Sequence, residues 1–266
     1  MHRNDVDTAD PATTTLDEVG EFVRALLATP EDRMSMCAGW TAHDIVAHLA
    51  AGAAEEAALI ERCLRGLPDR PTNDFESRER PFRDLPDADL RHRLFEESIR
   101  LSKAIAALGT ETVEFTGRRM QSSEFAMHSR SECALHRWDL VGRDEIGWAI
   151  LSQSELTDHA VRVLTSMTIP NEALEDRLGT LDAERVVLRS APHEDVVLIR
   201  GAESMELVRQ SVTSATPDVE MEPAQRLLML WGRREPSSPI DAHTMAGRQL
   251  VQSLLATRDQ DSPVSI

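Results

Sequence analysis

Up to about residue 170 the apolar side chains recur every three or four positions, and beyond it the period changes. A helical period obliges a chain to bury one stripe of each helix against other helices, which limits this first part to a bundle. Leu16, Val19, Phe22, Val23, Leu26 and Leu27 make the first stripe, entered through Thr15-Leu16-Asp17-Glu18 as a capping box and stopped at Thr29-Pro30. Thr41, with Asp44 three residues on, opens a second, Ala-rich helix with its stripe through Ile45, Leu49, Leu59, Ile60 and Leu64. A third is expected over Asp87 to Leu108, with Leu90, Leu94, Phe95, Leu101 and Ile105 inward and Gly109 placed to stop it. Between them, residues 65 to 86 carry Pro68, Pro71, Pro81 and Pro86 among many charges and predict a surface loop. After an irregular stretch through Gly117, Ser122 or Ser123 opens a fourth helix that runs past Asp139, and Ser152 opens another ending near Pro170.

Past that point Arg185 to Arg189 and Asp195 to Arg200 are β-branched runs joined by Ala-Pro-His-Glu, the pattern of a hairpin. Glu203 to Val212 reads as a helix, Val219 to Met221 as a short strand, Pro223 to Trp231 as a helix with proline in its first turn, and Ala246 to Leu255 as a last helix. The expected organisation is a polar tail over 1–11, an antiparallel four-helix bundle over 12–170, a small α+β domain over 171–258 and a second tail over 259–266.

Charge narrows the partners. Acidic residues outnumber basic ones by 46 to 29 for a net charge of -17, which repels phosphate backbones and anionic lipid surfaces. Neither nucleic acid nor a membrane is therefore an expected partner. Lys103 is the only lysine, so Schiff-base chemistry is all but excluded. Cys37, Cys63 and Cys133 are odd in number and widely spaced, which suits a reducing cytoplasm better than a disulfide framework. Met1 to Pro11 lacks the apolar core of a signal peptide, and no stretch approaches the roughly 18 apolar residues of a membrane span.

Two histidines and a glutamate carry the chemistry. Glu132 and His136 leave one face of the fourth helix a turn apart and can grip one ion, although a solvated pair has the same spacing. His48 sits in the apolar part of the second helix, where it is either a core histidine satisfied by a neighbour or a third ligand. Two imidazoles and a carboxylate suit zinc, or nickel or another divalent ion, with positions left open for solvent or substrate. His128 lies on the same stripe, but eight residues of helix rise about 12 Å, too far for it to share an ion with His136. It is left to the substrate pocket, to the ligands' surroundings or to the surface. Asp139, three residues past His136, can orient an imidazole or lie exposed, and the exposed or structural reading is preferred. Cys133 reads as a small buried hydrophobe, His43 as off the ligand face, and Trp40 and Trp138 as packing residues.

The segment Cys37-Ala-Gly-Trp40-Thr41-Ala-His-Asp44-Ile-Val-Ala-His48-Leu-Ala closely resembles the second-helix signature of the DinB-like and mycothiol-dependent maleylpyruvate isomerase families, whose final His is a metal ligand. Glu132-Cys-Ala-Leu-His136-Arg-Trp138-Asp139-Leu resembles the same family's second signature, whose Glu and first His supply the other ligands. Leu227-Leu-Met-Leu-Trp231-Gly232-Arg233-Arg234 looks like the leucine-rich helix ending in Gly-Arg of the family's C-terminal domain, from which an arginine serves the active site. The resemblance implies a DinB-like bundle with an α+β domain, a metal on His48, Glu132 and His136, and mycothiol, a thiol of actinobacteria, as the nucleophile. It also implies Arg233 or Arg234 as the anchor for a small electrophile. The leading expectation is a mycothiol-using S-transferase or thiol-exchange enzyme, acting as monomer or homodimer. A cis–trans isomerase of the maleylpyruvate type comes second, and a non-catalytic metal-binding regulator third.

Overall fold

The computed structural model describes residues 17–166, 183–200 and 205–255. The expected tails, the boundary near 170 and the helix end at Pro170 lie outside these residues, as do Thr15 and Leu16 of the expected first cap. Helix α1 (Glu18–Ala28) is instead capped by Asp17, whose carboxylate accepts from Gly20 N at 2.9 Å. Phe22 and Leu26 face inward while Val19 and Leu27 are exposed, so the buried stripe is narrower than the apolar one. Helix α2 (Ala42–Leu64) opens as expected on the Thr41–Asp44 capping box. Its alanines let α4 (Asp87–Leu108) pack close, with Ile45, Val46 and Leu90 fully buried between them and α1. Leu64 and Phe95, expected inward, lie at the solvent edge.

The segment expected as a surface loop holds a helix, α3 (Phe75–Arg83), that buries Arg78 and Glu79. Asp74 caps it by accepting from Ser77 N at 2.9 Å, and Arg80 and Arg83 sit in its last turn. The irregular stretch is a hairpin, β1 (Val113–Phe115) and β2 (Arg118–Met120). Its two turn residues, Thr116 and Gly117, take φ of 51° and 80°, the mirror-image turn that matches strand twist. Helix α5 (Ser122–Val141) follows and ends at Gly142. Ser152 ends a short helix, α6 (Glu145–Leu151), rather than opening one, and α7 (Ser154–Ser166) begins two residues later.

Strands β3 (Arg185–Arg189) and β4 (Asp195–Arg200) form the expected antiparallel hairpin, with Val187 opposite Val197. Residues 205–210 form strand β5 (Met205–Gln210) rather than a helix. Pairing along the full length of β4 outweighs the helix preference of Glu206 and Leu207. Strand β6 (Val219–Met221), helix α8 (Pro223–Leu230), strand β7 (Ile240–Ala242) and helix α9 (Met245–Leu255) complete the described chain. The sheet order is β5-β4-β3-β6-β7, antiparallel except where β3 meets β6. Leu227 and Leu228 of α8, Val186 and Val196 of the sheet, Trp138 of α5 and Leu156 of α7 share one continuous core. That core brings the end of α8 against the bundle, next to α5.

Candidate metal centre

Each of the three expected ligands comes from the face its helix turns inward. His48 on α2 is 2% exposed, and Glu132 and His136 on α5 are 9% and 5% exposed. His48 Nε2 and His136 Nε2 stand 3.4 and 3.5 Å from the same oxygen, Glu132 Oε2. A donor atom from each of the three lies within 4.8 Å of the others, a spacing that one ion can bridge. Burial alone would raise the Glu132 carboxyl, but the imidazoles of His136 and His48 overcome it and hold the group well below its ordinary range.

The far nitrogen of each ring is engaged as well. His48 Nδ1 hydrogen-bonds Glu79 Oε1 at 2.7 Å, and Arg83 in turn bonds the other oxygen of Glu79. His136 Nδ1 lies 2.9 Å from Asp139 Oδ2, at ion-pair distance but without hydrogen-bond alignment. A carboxylate behind each imidazole favours the tautomer with its proton on Nδ1 and a lone pair on Nε2 facing Glu132. The donor set and its surroundings therefore fit a divalent ion. Phe75 of α3 stacks on His48 from one side with centroids 6.1 Å apart, and Trp40 stands 5.4 Å away, touching a ligand as well as packing.

Asp139 is fully buried and ion-paired, so of the exposed-or-structural expectation only the structural half stands. Arg233, seven-eighths of the way down the chain, donates from Nε to its Oδ1 at 2.9 Å and from Nη2 to its Oδ2 at 2.6 Å. Burial works against ionisation here, and the Arg233 charge overrides it, keeping Asp139 well below the carboxylate range. Arg233 also points Nη1 at Trp231 O, 3.4 Å away, and Nη2 at Cys37 Sγ, 3.6 Å away. Its donors are thus turned to protein groups, and Arg233 meets the three ligands through Asp139. Arg234 is exposed.

A cavity of about 170 Å³ between α1, α2, α4 and α5 reaches His48 and Glu132. Glu56, Arg78, His128 and Cys133 share its wall with apolar side chains. His128 is buried, within 3.4 Å of His159 and 3.8 Å of Glu56, and burial pushes its imidazole down to about 4. Burial likewise pushes the Cys133 thiol up to about 12, and none of the three cysteines is in a disulfide. His43 turns away to Asp87 and Arg83 O. The helix carrying Glu79 and Arg78 was hidden among prolines, although Asp74 followed three residues later by Ser77 is a usable capping signal.

Bundle, sheet and buried His–Glu–His cluster together define a DinB-like helical protein with an appended α+β unit. Residues 12–141 match the family model of the mycothiol maleylpyruvate isomerase N-terminal domain. Two solved structures, of the mycothiol-dependent maleylpyruvate isomerase and of a histidine-to-alanine mutant of it, share the fold with TM-scores of 0.53 and 0.55. Each is 17% identical over 92% of this chain and 91% of its own. No curated protein matches the sequence. Among the described residues, no helix is long and apolar enough to cross a membrane.

Proposed function

We propose that this chain is a metal-dependent isomerase that uses mycothiol to convert a small cis-alkene to its trans form, as the names of its relatives indicate for maleylpyruvate. The observation that carries the reading is the convergence of two imidazole Nε2 atoms on one carboxylate beside a cavity lined by His48 and Glu132, with both Nδ1 atoms backed by carboxylates. A divalent ion held by His48, Glu132 and His136, zinc by the nature of the donors, would bind the thiol sulfur and favour its thiolate.

The residues supply the rest. Glu79 and Asp139 fix the two rings, and Arg233 secures Asp139, which is the role we assign to it in place of direct contact with the acceptor. The apolar cavity wall excludes water, which would otherwise protonate the thiolate or the adduct. In the reaction the sulfur adds to one alkene carbon, the pair moves to the adjacent carbonyl, the former double bond rotates, and the C–S bond breaks to return thiolate and trans product. No atom is gained or lost.

Cobalt-substituted protein titrated with mycothiol tests the reading. The expected result is a cobalt–thiolate absorption band, and its absence rejects thiol activation in favour of a structural or regulatory metal. With acceptor added, an unchanged mass and an altered alkene geometry are expected. A stable thioether would instead assign S-transfer at the same site.

A further inference from the structure

Arg78 is 7% exposed, yet Nε and Nη2 of its guanidinium are buried without a hydrogen-bond partner. Glu79, Glu132 and Glu56 all act on it through their charge, but none comes within ion-pair distance among the described residues. Glu79 is committed to His48 and Arg83 instead. Among the described residues the guanidinium is held by the Phe75 ring, 4.1 Å from it, which fixes the plane without using an N–H. Such a cation costs stability unless an anion completes it.

The cavity beside it says what kind of anion. Among the described residues, Arg78 is the only arginine or lysine that lines the cavity, whose other walls include Phe22, Leu49, Leu94, Leu101 and Phe115. Arg78 therefore offers one guanidinium to one carboxylate, and no second cationic side chain lines the space, among the described residues, to pair with another negative charge. A void of about 150 Å³ accepts benzene, so the 170 Å³ here holds an organic body of six to eight carbons. We infer that Arg78 is the carboxylate-binding residue of this cavity, and that the cavity takes a small monocarboxylate with an uncharged, apolar or unsaturated body. This deepens the isomerase reading by naming the class of acceptor, and it presumes that the acceptor enters the cavity that reaches His48 and Glu132.

The test needs no thiol, so it stands apart from the cobalt–thiolate experiment. Metal-loaded full-length protein is titrated by calorimetry with benzoate, benzamide and phthalate. Benzoate should bind at least about tenfold tighter than either of the others, the scale of one charge-assisted bidentate contact. R78M should lose this preference while its benzamide affinity changes less than about twofold, and R78K, which keeps the charge without the fork, should fall between them. The melting temperature of R78M should equal or exceed that of the wild type, because the substitution removes a buried charge without an anionic partner. Equal affinity of the wild type for benzoate and benzamide would overturn the inference. So would benzoate binding that survives R78M, which would put the carboxylate on the metal, or a melting temperature lowered by R78M with benzoate affinity unchanged, which would make Arg78 structural.

Discussion

Arg233 holds Asp139 through both oxygens, and Asp139 in turn stands 2.9 Å from His136 Nδ1, so a residue of the α+β region reaches a candidate metal ligand through one carboxylate. Both partners of the ion pair are at most 4% exposed, which makes removal of one more damaging than removal of both. Asp139→Ala should cost about 3–5 kcal/mol of stability by leaving Arg233 uncompensated. Metal affinity should fall about 10–100-fold as the His136 ring loses its orientation. Urea unfolding and competitive chelator titration read the two effects separately, and a stable variant with wild-type metal affinity would contradict both.

Glu79 stands behind the other imidazole, 2.7 Å from His48 Nδ1. Glu79→Gln retains an acceptor but removes the carboxylate charge behind the ring. Metal affinity should drop about tenfold with little change in fold, and Glu79→Ala should lose up to about 100-fold. If neither variant alters the metal dissociation constant, Glu79 serves α3 packing alone.

The helical period located α2, α4 and α5 closely because each has a stripe that meets another stripe, with the Thr41–Asp44 box marking the start of α2 and Gly109 the end of α4. Glu132 and His136 were legible as a pair from spacing on one helix. His48 needed its surrounding segment, since spacing offers nothing between residues 84 apart. What stayed hidden depended on distant partners. For Asp139 an exposed, a structural and an imidazole-orienting reading stay open until Arg233, 94 residues later, is placed against it. Four prolines masked α3, and with it Glu79 and Arg78, because proline density signals a loop more strongly than one Asp cap signals a helix. Strand β5 has helix-forming residues and becomes a strand only through its pairing with β4.

Glu56 gives the stability curve a signed pH dependence. Burial first, and the Glu132 charge second, push its carboxyl up from 4.5 to about 8. A raised folded-state value means that the folded protein holds a proton the unfolded chain releases. Stability from this group is therefore full below pH 4.5 and is lost progressively as pH rises to about 8. In metal-free protein kept in chelator, Glu56→Gln should match the wild type near pH 4.5 and exceed it by more than about 1 kcal/mol above pH 8. Parallel urea midpoints at both pH values would show that Glu56 ionises in the folded state as it does in the unfolded one.

Leu228 tests whether the sheet region and the metal centre unfold together. It is fully buried in α8, in a core that also holds Trp138 of α5 and Val186 of β3, and it precedes Arg233 by five residues. Leu228→Ala should cost about 2–5 kcal/mol through lost burial and the cavity left behind. Because the same core spans bundle and sheet, the loss should appear as one earlier transition by both circular dichroism and Trp fluorescence. Metal release should occur at the same denaturant concentration, since a loosened α8 carries Arg233 away from Asp139 and frees the His136 ring. Two separated transitions, with metal retained through the first, would mean that the bundle holds its centre without help from the α+β region.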